Sequence, residues 1–171
     1  NNSQKTLNYM GMEVDDLLID LSASIAEVVN SVAVYIQGDA VRPHILKESN
    51  VIISDLPIGY YPNDEIASRF KVAATGEHTY AHHLLMEQSL KYLKKDGIAI
   101  FLAPTNLLTS PQSDLLKKWL SGYADIIAVI TLPEAAFGNK HSMKSIFVLK
   151  KQTKNAPETF VYPLSDLKNP R

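Results

Sequence analysis

Val51-Ile52-Ile53-Ser54-Asp55-Leu56-Pro57-Ile58-Gly59-Tyr60-Tyr61-Pro62 opens on three consecutive β-branched residues, breaks at an acid and passes into a turn-rich stretch. A short apolar run bounded by turn residues reads as a buried strand, here Val51 to Ile53 closed by Ser54-Asp55. Beyond it no clear periodicity returns until about Glu77, and loops of that length in compact domains are usually binding loops or lids. The same unit, an apolar run meeting an acid, occurs twice upstream. Leu7 to Val14 reads as a first strand with Glu13 near its end, and Val32 to Ile36 as a second, closed by Gly38-Asp39.

Helical patterns alternate with these strands. Asp15-Asp16 forms a cap, after which the spacing of Leu18, Leu21, Ile25 and Val28 puts four apolar groups on one face, expected to cover a sheet. Residues 79–95 predict another helix, with His83, Met86, Leu90 and Leu93 on one stripe, Lys91, Lys94 and Lys95 in its last turns, and Asp96-Gly97 as its end. Ile98 to Leu102 is continuously apolar, as in a strand covered on both faces. Ser110-Pro111 supplies a cap and a proline at the first helical position, with Leu115, Leu116, Trp119 and Leu120 expected inward. Ile126 to Leu132 and Ser145 to Lys150 are too close in sequence for a crossover helix, so they are expected to pair antiparallel. The pattern predicts an α/β domain over residues 1–151 built on a mainly parallel sheet. Residues 152–171, with Pro157, Pro163 and Pro170, read as a surface tail.

Composition narrows the function classes. The chain has 171 residues, 46% hydrophobic and 20% charged, with no cysteine, which excludes disorder, a disulfide scaffold and a cysteine-ligated zinc site. A formal charge of −1 lacks the footprint of a protein that grips phosphates over a wide surface, so any nucleic-acid contact is expected to be local. Lys91, Lys94, Lys95, Lys117, Lys118, Lys150 and Lys151 read as a solvated face. No stretch reaches the length of a membrane span and no secretory signal precedes the first strand, which makes cytoplasm the default compartment. The chain opens without methionine in a polar run, and reads as a piece of a longer protein. Hydrolase and kinase motifs are absent. Glu77, His78, His82, His83 and Glu87 fit no tight zinc spacing, so no metal is expected. Gly76 reads either as a lid hinge or as an ordinary turn.

Open α/β sheets bind ligands outside the carboxyl ends of their strands, and here Glu13, Asp39 and Asp55 stand at three successive strand ends. An acid at such a place accepts hydrogen bonds from ribose hydroxyls, and one at the next strand end from an adenine amino group. Helix and turn capping explains each acid separately, so on spacing alone both readings stay open.

Asp55-Leu56-Pro57-Ile58 resembles the (Asp/Asn/Ser)-Pro-Pro-aromatic motif of amino-group DNA methyltransferases. With Thr79-Tyr80-Ala81-His82-His83, Leu93-Lys94-Lys95-Asp96-Gly97, Phe101-Leu102-Ala103-Pro104, Ile130-Thr131-Leu132-Pro133-Glu134-Ala135-Ala136-Phe137 and Lys144-Ser145-Ile146-Phe147-Val148-Leu149-Lys150, residues 7–151 are similar to the catalytic domain of N6-adenine DNA methylases of the type I modification-subunit kind. The similarity is strongest to adenine-specific methyltransferases of low-GC Gram-positive bacteria. The resemblance implies a class I, Rossmann-like methyltransferase sheet with helices on both faces and an antiparallel strand pair at the end. It implies S-adenosylmethionine as cofactor and adenine-containing DNA as partner. Glu13, with Val14 beside it, would hold the ribose hydroxyls, Asp39 the adenine amino group and the Ala40 backbone the ring edge, with Asp55 also facing the cofactor. Asp55, Leu56, Pro57 and Ile58 would form the catalytic loop. There the Asp55 carboxylate and the residue 56 carbonyl would bond the two protons of the target amine and favour a pyramidal nitrogen. A target in duplex DNA would first be flipped out.

The sequence departs from the family pattern at Leu56, where the first proline is expected, and at Ile58, where an aromatic would stack on the base; Tyr60 or Tyr61 are the candidate replacements, with packing on the sheet edge as the other reading. The Gly-rich turn after the family's first strand has no counterpart. That strand would lie between those carrying Glu13 and Asp55, and an upstream segment or a second chain is expected to fill the slot. The alternatives are a catalytically silent binding or regulatory module that keeps the fold, and a methyltransferase acting on RNA, protein or a small molecule.

Overall fold

The computed structural model describes residues 8–43, 47–138, 142–152 and 158–165; Leu7, Asn155, Pro157 and Pro170 of the expected elements lie outside them. The chain divides into two units, Asn1–Leu46 and Lys47–Arg171.

The first unit is a βαβ arrangement. Strand β1 (Tyr9–Glu13) and strand β2 (Ala33–Gln37) pair in parallel with Glu13 opposite Gln37, joined by helix α1 (Asp16–Val28). Asp15 caps α1, its Oδ1 accepting the Leu18 amide at 3.0 Å, which satisfies one of the donors a helix start leaves open. Asn30, at φ 53°, lets the chain turn left-handed after the helix, and the Ser31 amide closes back on the Ala26 carbonyl at 2.8 Å. The expected inward face is corrected: Leu18, Leu21, Ile25 and Val28 are exposed, Val28 at 82%, and Ala26 is the buried residue of α1. A two-stranded sheet is too narrow to cover a stripe of four large side chains.

The second unit holds a five-stranded mixed sheet in the order β3-β4-β6-β5-β7. Its strands are β3 (Ser49–Asp55), β4 (Leu93–Pro104), β5 (Ala124–Thr131), β6 (Lys144–Lys151) and β7 (Phe160–Pro163). β3 and β4 run parallel, β6 inserts antiparallel between β4 and β5, and β7 adds parallel to β5. The antiparallel pair expected of the last strands is therefore present, and residues 160–163 extend the sheet by one exposed strand. Phe101, Ala99 and Ala103 of β4 and Phe147 and Leu149 of β6 alternate into the core, the period of two a pleated strand imposes.

Helix α3 (Ala81–Tyr92) packs on β4 and is buried almost all round, with His82, His83, Leu84, Met86, Glu87, Gln88, Ser89 and Leu90 all inside. It ends at Tyr92, so Lys94 and Lys95 belong to the start of β4 and not to a helical turn. The ladder explains the early end. Ser49 pairs with Leu93 but Val51 with Ile98, so β4 carries extra residues as a bulge that Asp96 turns at φ 61°. At Gly97 a Cβ would fall 2.8 Å from the Lys94 carbonyl and 2.9 Å from that of Asn50, room that only glycine leaves. The stretch after Asp55, expected to lack periodicity, contains a short helix α2 (Asp64–Ala67) capped by Asn63. A turn of 3₁₀ helix, Pro111–Ser113, precedes α4 (Asp114–Leu120), in which Leu116 and Leu120 point inward while Leu115 points out. A helix of only two turns has a narrow buried stripe, and Trp119 is half-buried, stacked on Tyr123 at 4.4 Å.

Candidate functional site

In the first unit Glu13 and the Asp39 turn lie at the carboxyl ends of neighbouring parallel strands. The Gly38 amide donates to the Glu13 carbonyl at 2.9 Å, so the ladder continues into the turn that carries Asp39. Glu13 Oε1 accepts the amides of Val14 at 2.7 Å and Asp15 at 3.1 Å. Asp39 Oδ1 accepts the Val41 amide at 2.9 Å, and its other oxygen lies 3.9 Å from Arg42 Nε. Both carboxylates thus brace their own turns, as capping predicts. Val14 is exposed, Ala40 half-buried and Val41 buried. Two carboxylates at adjacent strand ends are acceptors of the kind that ribose hydroxyls and an adenine amino group can donate to.

In the second unit Asp55 ends β3 and Leu56 follows it into the sheet, its amide donating to the Leu102 carbonyl at 2.9 Å. This bond accounts for leucine at a motif position where proline is the rule: a proline has no N–H to extend the ladder. The Leu56 side chain is fully buried, and Pro57 and Ile58 emerge at the surface, Ile58 at 48% exposure. One cation spans the turn. Lys144, at the start of β6, donates from Nζ to Asp55 Oδ1 and, at 2.7 Å, to the Leu56 carbonyl. Its side chain is 14% exposed and that of Asp55 67%, so the ammonium plugs the inner side of a carboxylate that opens to water.

The loop beyond is pinned to the chain ahead of α3. The Ala81 amide bonds the Gly59 carbonyl at 2.9 Å and the Tyr61 amide the Thr79 carbonyl at 2.8 Å. This pairing separates the two tyrosines: Tyr60 is 58% exposed, whereas Tyr61, at 8%, faces the core. Tyr60 stacks on Tyr80 with ring centroids 4.5 Å apart, and behind Tyr80 lie His82 at 5.1 Å and His83 at 5.4 Å. The Tyr80 hydroxyl is pushed up from its ordinary value by its hydrogen bond with Tyr60 and by burial. His78, on the rim, bonds Asp64 at 3.1 Å.

His82 and His83 are both buried. Burial pushes His82 down to about 4; a hydrogen bond to the Pro57 backbone works against that shift, and the nearby Lys144 charge adds to it. Among the described residues its Nδ1 has no hydrogen-bond partner. His83, bonded through Nε2 to Ser113 Oγ at 3.1 Å, is pushed down to about 3 by burial and by His82. Both imidazoles are therefore neutral, and His82 lies against the Pro57 backbone. Among the described residues no three histidine, aspartate or glutamate side chains converge in a way that could hold a metal ion, and no helix is long and apolar enough to cross a membrane.

Sequence reasoning placed Asp55 and the loop but did not single out Lys144 or the backing of Tyr60 by Tyr80. Lys144 reaches Asp55 across 89 positions, a separation for which no local pattern exists. Tyr80 is brought to Tyr60 by an antiparallel bridge between the two residues, a pairing that no local sequence pattern shows.

A family model described as N-6 DNA Methylase matches residues 2–169. An uncharacterized protein of Bacillus subtilis, YtxK, is 38% identical over 133 residues, covering 78% of this chain and 40% of that protein. A solved structure of a candidate class I S-adenosylmethionine-dependent methyltransferase from Listeria monocytogenes superposes with a TM-score of 0.89 at 32% identity, over 98% of this chain and 53% of that one. The methyltransferase subunit of a type I restriction-modification system from Streptococcus thermophilus shares the fold, with a TM-score of 0.72 at 16% identity over 94% of this chain and 36% of that one. The chain thus spans about half the length, or less, of these relatives.

Proposed function

The chain belongs to the N-6 DNA methylase family, and from that premise we propose that it serves N6-methylation of adenine in DNA, in the cytoplasm. Its fold is that of the class I methyltransferases, and fold and family together imply S-adenosylmethionine as the cofactor. When bound, that group supplies an electrophilic methyl on a sulfonium.

The chain's own residues do the rest. Glu13 and Asp39 hold the nucleoside end through their carboxylates, with Val14 and Ala40 beside them. At the reacting end the problem is the amine, whose lone pair is delocalised into the purine ring. The Asp55 carboxylate and the Leu56 carbonyl each accept a hydrogen bond from one of its N–H groups, which draws the nitrogen toward a pyramidal geometry and frees the lone pair, and the one proton lost after methylation leaves through the Asp55 carboxylate to water. These bonds strengthen as positive charge develops on nitrogen, so they favour the transition state over the bound substrate. Pro57 fixes the turn, and Tyr60 stacks on the flipped base in place of the aromatic absent at Ile58.

The observation that carries this reading is that Asp55 Oδ1 and the Leu56 carbonyl already grip a single nitrogen, Lys144 Nζ. Two acceptors set to bond two hydrogens of one nitrogen are the arrangement the chemistry requires. The exposed Ile58 favours a second reading, transfer to a non-aromatic amine on a protein or small molecule. The unpaired side of β3, an edge of its sheet, is where an upstream segment or a second chain would add a strand.

The test is Asp55→Ala in the full chain. Transfer of labelled methyl to adenine-containing DNA is expected to fall at least a hundredfold, while calorimetric affinity for S-adenosylmethionine changes little. A transfer rate that survives the substitution overturns the assignment, and transfer to lysine-containing peptides alone establishes the second reading.

A further inference from the structure

Lys144 is not needed to build the sheet at its position. Its backbone pairs opposite Pro104 at the end of β4, and a residue with a neutral side chain would pair equally well. What the lysine adds is an ammonium on the two acceptors that the proposed reaction needs for its substrate. Charge-assisted bonds outcompete neutral ones, and a tethered group acts at a high effective concentration. A small free amine therefore competes poorly by itself. An amine carried on a larger ligand can, provided that the ligand gains contacts elsewhere, and the exposed face of Tyr60 lies on the same loop, backed by Tyr80.

We propose that Lys144 determines the specificity of this site: its ammonium fills the Asp55–Leu56 acceptor pair until an aromatic base bearing an exocyclic amine, stacked on Tyr60, displaces it. The inference rests on the methylase reading of that pair and adds a residue to it. The displaced ammonium turns outward along the open side of Asp55. The resting contact is only partly screened from water, which limits its strength to that of a surface ion pair and makes displacement by a base affordable.

The experiment measures binding of single-stranded oligodeoxyadenylate and oligodeoxythymidylate to the full chain, to Lys144→Met and to Lys144→Gln, by fluorescence anisotropy. Thymine has no exocyclic amine. Both variants are expected to bind adenylate about fivefold more tightly than the parent with thymidylate unchanged, while Lys144→Arg, which keeps the charge and the donors, stays close to the parent. Two neutral variants guard against a single misfolded one, and circular dichroism identifies it. Adenylate affinity that is unchanged, weaker or undetectable in both folded variants overturns the proposal, as does equal tightening for thymidylate. Methyl transfer that depends on Asp55, measured on the same preparations, tells the two failures apart: if it persists the methylase reading stands without the gate, and if it is absent both fall.

Discussion

Tyr60 and Tyr80 lie face to face, their rings 18° from parallel and their hydroxyls 3.3 Å apart. The inner ring is half-buried and the outer one exposed, with the His78 ring tilted 5.9 Å from it, so the pair is an aromatic platform open to solvent. Base–aromatic stacking is worth about 1–3 kcal/mol per base. Tyr60→Ala is therefore expected to weaken binding of single-stranded oligodeoxyadenylate by about 5- to 100-fold, and Tyr80→Leu by less, because it removes the support and leaves the surface. Unchanged affinity in Tyr60→Ala, read by anisotropy, would return the pair to a purely packing role.

Ile58 stands at the surface and Leu56 in the core, so the two departures from the motif predict opposite outcomes when reverted. Ile58→Tyr meets no packing constraint and is expected to tighten adenylate binding, by up to the roughly 1–3 kcal/mol that one stacked base contributes. Leu56→Pro removes the amide bonded to Leu102 and a fully buried side chain, and is expected to destabilise the fold by about 3 kcal/mol. Urea titration of both variants checks the pair; a Leu56→Pro chain as stable as the parent would refute the account of the ladder.

The buried histidines make stability depend on pH with a definite sign. Both fall in the folded state well below the ordinary 6.5, to about 4 and about 3, so the unfolded chain binds more protons across that interval. Stability is then full above pH 6.5 and declines as pH falls toward 4. At pH 5 the loss is on the order of 1–2 kcal/mol per histidine, from 1.36 kcal/mol per unit. Urea midpoints at pH 7 and pH 5 measure it, and His82→Gln with His83→Gln is expected to flatten the slope; an equal slope in that double variant would locate the titration elsewhere.

Glu87 is a wholly buried carboxylate on α3. Its Oε2 accepts the Val72 amide at 3.0 Å, and Lys91 Nζ sits 2.5 Å from Oε1 as an ion pair, with the same ammonium 4.9 Å from the Phe70 ring centroid. Removing the cation strands the anion, whereas neutralising the anion lets the partly exposed lysine return to water. Lys91→Met is expected to cost about 3 kcal/mol and Glu87→Gln about half as much, since glutamine still accepts from Val72. Thermal or urea unfolding decides the order, and the reverse order would show that Lys91 contributes nothing beyond the surface.

The elements that sequence made legible were those fixed locally. β3 followed from three β-branched residues before an acid, α1 from the Asp15 cap, and the bulge of β4 was foreshadowed by Asp96-Gly97, although it was assigned to a helix end. What failed were statements about partners. The apolar stripe of α1 has the right period yet is exposed, because periodicity reports a helix and not the width of the surface it meets. Glu87 was read only against a zinc spacing it does not fit, and nothing within its own helix shows that its carboxylate is buried and accepts the Val72 amide. The acids at the strand ends were legible as a set, but Lys144 on Asp55 was not, since the contact is made by a strand order in which the later β6 lies between β4 and β5.

That insertion has a consequence for biosynthesis. During translation β4 and β5 both emerge before the strand that separates them, and Asp55 leaves the ribosome 89 residues ahead of Lys144, roughly 5–20 s at ordinary elongation rates. By the end of that interval the growing chain holds the open edges of β4 and β5 that β6 will cover, and the Asp55 carboxylate meets its counter-ion only when Lys144 arrives. The arrival of β6 joins β4 to β5 and brings the ammonium to its carboxylate, and β7 then adds to the outer edge of β5.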